Sequence, residues 1–220
     1  MAGLAEFTIA TPRPLPVIVL ADVSGSMTED GKIDALNNAL QEMCRSFARE
    51  IPNSAEILLA VITFGGAGAC VHTALTPASK ASWTPMQASG MTPLGSALDL
   101  ATRLIEDRSA IPARAYRPAI ILVSDGEPND DWNGPLSRLL ASPRGSKADR
   151  FALAIGAGAG ISTLEAFLAD PSKRVLQSSD ARQIQKFFEW VTMSVTVRSK
   201  SVSPDTLVFQ APPNFDEVSF

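Results

Sequence analysis

Unbroken apolar runs alternate along this chain with apolar residues spaced three and four apart. Pro16–Ala21 (PVIVLA), Glu56–Phe64 (EILLAVITF) and Ile120–Val123 (IILV) are continuous and rich in β-branched residues, the pattern of strands covered on both faces. Ile33, Leu36, Leu40, Met43 and Phe47 instead form one helical stripe, opened by Asp30 and Gly31 and ended by Pro52. Leu94, Ala97, Leu98, Ala101, Leu104 and Ile105 repeat that spacing, as do Ile184, Phe187, Phe188, Val191 and Val195 in a last helix over Ala181–Val197. Weaker signals predict a helix over Pro135–Leu140, a strand over Phe151–Ile155, a helix opening at Ser162 and a short strand over Arg174–Leu176. Cys70–Leu75 alternates and is joined to Phe64 by Gly65-Gly66-Ala67-Gly68, a tight turn that makes it an antiparallel edge strand.

Strands and helices in alternation predict an α/β domain, doubly wound and Rossmann-like, in three layers. Its sheet has six mostly parallel strands, one antiparallel edge strand and helices on both faces. Residues 1–15, held extended by Pro12 and Pro14, read as a leader, residues 16–198 as the domain and residues 199–220 as a tail. Leu207, Val208 and Phe209 offer that tail a way to dock as an added strand. A chain of 220 residues is of ordinary size for one such domain.

Composition narrows the function. A net charge of −4 with no run of basic residues argues against nucleic acid as a partner. Cys44 and Cys70 lack CxxC spacing and read as buried free thiols. No apolar run reaches ~18 residues and the first residues lack a basic patch before an apolar core, so the expectation is a cytoplasmic protein without a membrane partner.

Three segments carry candidate chemistry. The first run ends in Asp22-Val23-Ser24-Gly25-Ser26, the run at Ile120 ends in Ser124-Asp125-Gly126, and Thr92 sits in a proline-rich loop just before a helix, with Pro93 suited to its first position. Ligands in an open α/β sheet collect at the carboxyl ends of strands, where the winding reverses. Carboxylates and hydroxyls are hard oxygen donors and suit Mg²⁺, with Mn²⁺ and Ca²⁺ as alternatives, better than zinc or copper. Either aspartate alone also fits a helix N-cap.

The ordered set Asp22, Ser24, Ser26, Thr92, Asp125 resembles the metal-ion-dependent adhesion site of von Willebrand factor A (VWA) domains, and the resemblance extends over residues 15–198. LADVSGSM, TPLGSAL and LVSDGEPNDDW look most like the bacterial tellurium-resistance (TerY-type) branch, with Met91 standing where that branch often carries glycine. The resemblance implies direct ligation by Ser24 and Ser26, ligation by Thr92 directly or through water, and water-mediated contacts from Asp22 and Asp125. It further implies capture of a partner protein's Asp or Glu, a tellurium-resistance or stress-response setting, and partners such as a phosphatase and a kinase. A Thr92 loop that shifts on partner binding is implied as well.

The same residues leave two other readings, a metal-dependent phosphoester hydrolase and a scaffold in which the metal is only a staple. Catalysis is disfavoured. His72 is the sole histidine, Ser24 stands where a dehalogenase-type phosphatase needs a second carboxylate, and no P-loop lysine motif occurs. Gly156, Gly158 and Gly160 read as a strand-to-helix connection, and Glu127, Asp130 and Asp131 as a solvated acidic loop.

Overall fold

The computed structural model describes residues 12–50 and 55–206. The chain runs through β1 (Arg13–Asp22), α1 (Lys32–Arg49), β2 (Ala55–Gly65), β3 (Gly68–Pro77), α2 (Leu94–Glu106), β4 (Ala119–Ser124), α3 (Asn133–Ala141), β5 (Asp149–Ile155), α4 (Ile161–Leu168), β6 (Leu176–Ser178) and α5 (Ala181–Lys200). Short 3-10 turns lie at Gly25–Gly31, Ala78–Lys80 and Gly145–Lys147.

The strands form one six-stranded sheet in the order β3-β2-β1-β4-β5-β6. All neighbours are parallel except β2 and β3, which pair antiparallel across the Gly65–Gly68 turn and leave β3 at the edge. The winding reverses between β1 and β4, so the carboxyl ends of those two strands flank the switch point. Val17, Val19 and Ala21 of β1 pack with α1 and α5, while Ile18 and Leu20 pack with α2, α3 and α4. Two covered faces explain the unbroken apolar run.

β1 begins at Arg13, before the anticipated start at Pro16, and contains Pro14 and Pro16. Proline lacks an N–H and is rare inside sheets. Here the Tyr116 amide donates to Pro14 O at 2.8 Å, which shows that residue 14 faces the β4 side. Residue 16 faces the same way, and β4 pairs with β1 only from Val17 onward, so no ladder bond is lost.

Two other boundaries move. The last strand is Leu176–Ser178, two residues later than expected, because three residues carry too little pattern to fix a register. α5 continues to Lys200, past its last apolar position, and the boundary expected at residue 198 falls inside its final turn. Arg198 carries it there. That side chain is buried, with Nε donating to Pro204 O (2.8 Å), Nη2 to Arg117 O (2.7 Å) and to Asp205 Oδ1 (2.9 Å), and Nη1 3.0 Å from Asp149 Oδ2.

Cys44 is buried, and burial pushes its thiol up to about 11. Cys70 is exposed, contrary to expectation, because β3 lies at the sheet edge. Among the described residues no helix is long and apolar enough to cross a membrane. Pro52, most of the leader, and Leu207, Val208 and Phe209 lie outside the described residues.

Candidate metal centre

Asp22 is the last residue of β1, and Ser124 ends β4 beside it, with Asp125 the next residue. Parallel pairing in register brings these two strand ends level, Ala21 lying opposite Val123. Asp22 is fully buried. Its Oδ1 accepts the Ser24 N–H at 2.8 Å and its Oδ2 accepts the Ser124 hydroxyl. Burial pushes the Asp22 carboxyl above the ordinary carboxylate range, against the downward pull of the hydrogen bonds from Ser124 and Ser24.

The hydroxyls continue the chain of contacts. Ser24 Oγ lies 3.1 Å from Ser26 Oγ, which in turn donates to Asp125 Oδ1 at 2.7 Å. The other oxygen of Asp125, Oδ2, accepts from Lys32 Nζ at 2.8 Å. Lys32 also reaches Ser26 O at 3.4 Å and approaches Glu29 at 4.0 Å. Desolvation would lower the Lys32 pKa, but the hydrogen bond and charge of Asp125, with Glu29 and Asp30, hold it above the usual lysine value.

Thr92 arrives on a loop laced into the others by backbone bonds. Ser89 N donates to Val23 O (2.8 Å) and Gly25 N to Gly90 O (3.0 Å). Gly90 has φ +74° and Gly66 stands 2.6 Å from where its Cβ would be, so no other residue fits. Thr92 N donates to Asn129 Oδ1 (2.9 Å) and Asn129 N returns a bond to Thr92 O (3.1 Å). Thr92 is buried, with its Oγ1 beside Gly126, but no hydrogen bond among the described residues joins that hydroxyl to the other four. The structure thus links Asp22, Ser24, Ser26 and Asp125 into one network and sets Thr92 at its rim.

Neither aspartate caps a helix through its side chain: Asp22 accepts from Ser24 N and from the Ser124 hydroxyl, and no helix begins until Asn133 after Asp125. The cap that does exist comes from afar. Asp130 accepts from Gly95 N (2.9 Å) and Ser96 N (3.0 Å), satisfying the first turn of α2, whose N-cap residue is Pro93 rather than a residue with an acceptor side chain. The acidic loop is therefore a structural clamp and not merely solvated. Gly160 opens α4 with the Glu127 carboxylate 2.8 Å from its would-be Cβ, a close-packed connection. His72 Nε2 donates to Thr84 O at 2.8 Å and the ring sits edge-on to Trp83, on β3 and away from the two aspartates.

Lys32, Ser124, Asn129 and Asp130 were not read as site residues from sequence. Lys32 alone left a signal, since an ammonium at the first residue of a helix opposes the helix dipole and needs a partner elsewhere.

The donor set fits a hard divalent ion. Adjacent oxygens in an octahedral shell with bonds of about 2.0–2.1 Å stand about 2.9 Å apart, and the Ser24 and Ser26 hydroxyls are 3.1 Å apart. Among the described residues no group of three or more His, Cys, Asp or Glu that could hold a metal ion is present, and the candidate set is two carboxylates and three hydroxyls.

Known structures share the fold. A von Willebrand factor type A domain from Catenulispora acidiphila superimposes with a TM-score of 0.64 at 20% identity, covering 84% of this chain and 43% of that one. Proximal thread matrix protein 1 of the mussel byssus, with zinc in its MIDAS motif, gives 0.63 at 17% identity over 82% of this chain and 48% of that one. A pilus adhesin of Lactobacillus rhamnosus GG gives 0.67 at 14% identity over 84% and 30%. The chain spans about half the length, or less, of these proteins. No curated protein matches the sequence. The family profile of the von Willebrand factor type A domain matches residues 17–127, just over half of the sequence, and the chain belongs to that family.

Proposed function

We propose that Asp22, Ser24, Ser26, Thr92 and Asp125 hold a divalent cation, Mg²⁺ with Mn²⁺ or Ca²⁺ as alternatives, on which a partner protein docks an Asp or Glu side chain. The observation that carries this reading is the Ser24–Ser26–Asp125 chain of contacts, two hydroxyls at 3.1 Å and a carboxylate 2.7 Å beyond them, at the switch point of the sheet. When bound, the ion supplies a Lewis-acidic position for an incoming oxygen. The protein's residues do the rest: Ser24 and Ser26 present neutral oxygens, Asp22 and Asp125 supply balancing charge, and the Asn129 clamp holds Thr92 at the rim. The mussel protein's zinc adds zinc to the ions to be compared.

Recognition and not catalysis is the role that this donor set supports, since the lone histidine is tied to Thr84 O on the edge strand. Met91, 60% exposed beside Thr92, gives a docking partner an apolar contact at the rim. The likeness of LADVSGSM, TPLGSAL and LVSDGEPNDDW to the tellurium-resistance branch supports a bacterial cytoplasmic stress-response role in this reading, with a phosphatase or a kinase as the partner. In this reading the binding domain, expected over residues 16–198, takes in all of β1 from Arg13 and all of α5 to Lys200.

The test is calorimetric titration with Mg²⁺, Mn²⁺, Ca²⁺ and Zn²⁺, followed by capture from the host lysate with Mg²⁺ or with chelator. One ion bound per chain, loss of binding in Asp22→Ala, and a partner retained only with metal and lost in Thr92→Ala are expected. No ion bound at millimolar concentrations refutes the site. The same proteins retained under chelator assign the protein to the scaffold reading, and turnover of a phosphoester that dies with Asp22→Ala assigns it to the hydrolases.

A further inference from the structure

Asp125 uses its two oxygens for different partners. Oδ1 receives the Ser26 hydroxyl, on the side of the donor set, and Oδ2 receives Lys32 Nζ at 2.8 Å. The Asp125 side chain has no exposure and that of Lys32 only 17%. Lys32 is the first residue of α1, where the helix dipole disfavours a cation, so its own helix gives no reason for an ammonium there. Its side chain runs beside the turn at Gly156. A Cβ at that position would stand 3.6 Å from Lys32 Cε, on a backbone with φ +76° that side chains rarely adopt.

Counting charge shows what the ammonium does. Asp22 and Asp125 contribute −2, and a divalent ion alone would bring the site to neutrality. With Lys32 the donor set carries one net positive charge, of which the exposed Glu29, 4.0 Å from the ammonium, and Asp30 offset a part. An ammonium in contact with a balancing carboxylate repels the ion and attracts an anion, and both effects are large where water is excluded.

Building on the metal-dependent capture proposed above, we infer that Lys32 is a positioning residue that sets the charge of the loaded site, weakening its hold on the cation and strengthening its hold on the partner's carboxylate. The two effects have opposite signs. A lysine present only to stabilise the fold would move both affinities the same way or neither.

The experiment uses the full chain as wild type, Lys32→Met and Lys32→Arg, each checked for folding by circular dichroism. Free Mn²⁺ is titrated by electron paramagnetic resonance. Sodium acetate is then titrated onto the Mn²⁺-loaded protein, read by loss of water-proton relaxation enhancement. Lys32→Met is expected to bind Mn²⁺ about tenfold more tightly and acetate about tenfold more weakly, the effect of removing one nearby charge in a partly screened site. Lys32→Arg, which keeps the charge, is expected to stay on the wild-type side of both comparisons. Mn²⁺ affinity unchanged or weakened in Lys32→Met, or acetate affinity unchanged or strengthened, overturns the inference while the metal site stands. Wild type that binds no Mn²⁺ overturns the metal site and this inference together. If Lys32→Met does not fold, Lys32→Gln takes its place with the same readings.

Discussion

Ser124 Oγ donates to Asp22 Oδ2, so the last residue of β4 is bonded to the last residue of β1. This bond fixes the rotamer of a buried carboxylate across two strands that are adjacent in space and far apart in sequence. Ser124→Ala removes it and leaves a buried acceptor unsatisfied, at a cost of roughly 1–3 kcal/mol. Urea denaturation in chelator measures the loss. An unchanged midpoint would show that water replaces the hydroxyl without penalty.

Acid should act on the site through Asp22. Its folded-state pKa is raised above 3.8, so between 3.8 and the folded value the native state holds more protons than the unfolded one. Without metal, this group's contribution to stability therefore rises as pH falls through that window. With metal, the sign reverses, because the ion requires the ionised carboxylate and protons compete with it. Melting curves from pH 7 to 4, in chelator and in Mg²⁺, compared between wild type and Asp22→Asn, read out both slopes. Parallel slopes with and without Mg²⁺ would contradict the coupling.

Asp130 is the cap of α2 although it lies beyond β4. Asp130→Ala should cost about 1 kcal/mol, the usual price of a lost N-cap. Amide exchange at Gly95 and Ser96 should accelerate, because those N–H groups lose their acceptor. Because Asn129 holds Thr92, metal affinity should fall in the same variant. Unaltered exchange at both amides would show that the cap is redundant.

Arg198→Met leaves Asp149 and Asp205 without the guanidinium between them. Removing one partner from a buried ionic cluster costs roughly 3–5 kcal/mol. Thermal unfolding gives the number, and limited proteolysis after residue 200 should speed up as the hold on Pro204 and Asp205 is lost. A change below about 1 kcal/mol would mean that the cluster offsets its own desolvation.

The sheet was legible because its central strands are buried on both faces and their apolar runs are unbroken. The antiparallel edge strand was legible from the glycines between residues 64 and 69. Of the five candidate donors, Asp22, Ser24, Ser26 and Asp125 form one network, while the loop of Thr92 is tied in by backbone bonds at Ser89 and Gly90 and Thr92 itself is held by Asn129. Partners set by tertiary contact escaped notice. Asp130 caps a helix that begins 36 residues earlier in the chain, at Leu94, and no local capping pattern encodes that pairing. The exposure of Cys70 was missed for a related reason, since an apolar neighbourhood in sequence says little about which side of an edge strand meets solvent. The register of β6 and the true end of α5 were missed because a three-residue strand and a buried arginine carry no periodicity.

The strand order also sets when the protein acquires its chemistry. Ser26 meets a partner 99 residues further along the chain, and that partner enters only when β4 slides in beside β1. At translation rates of about 5–20 residues per second, the first two donor hydroxyls wait roughly 5–20 s for the opposing acid. A ribosome-bound chain that has made only β1, β2 and β3 carries Asp22, Ser24 and Ser26 without Thr92 and Asp125. If the proposed cation binds there, it can do so only late in biogenesis, once β4 has been made and has paired with β1.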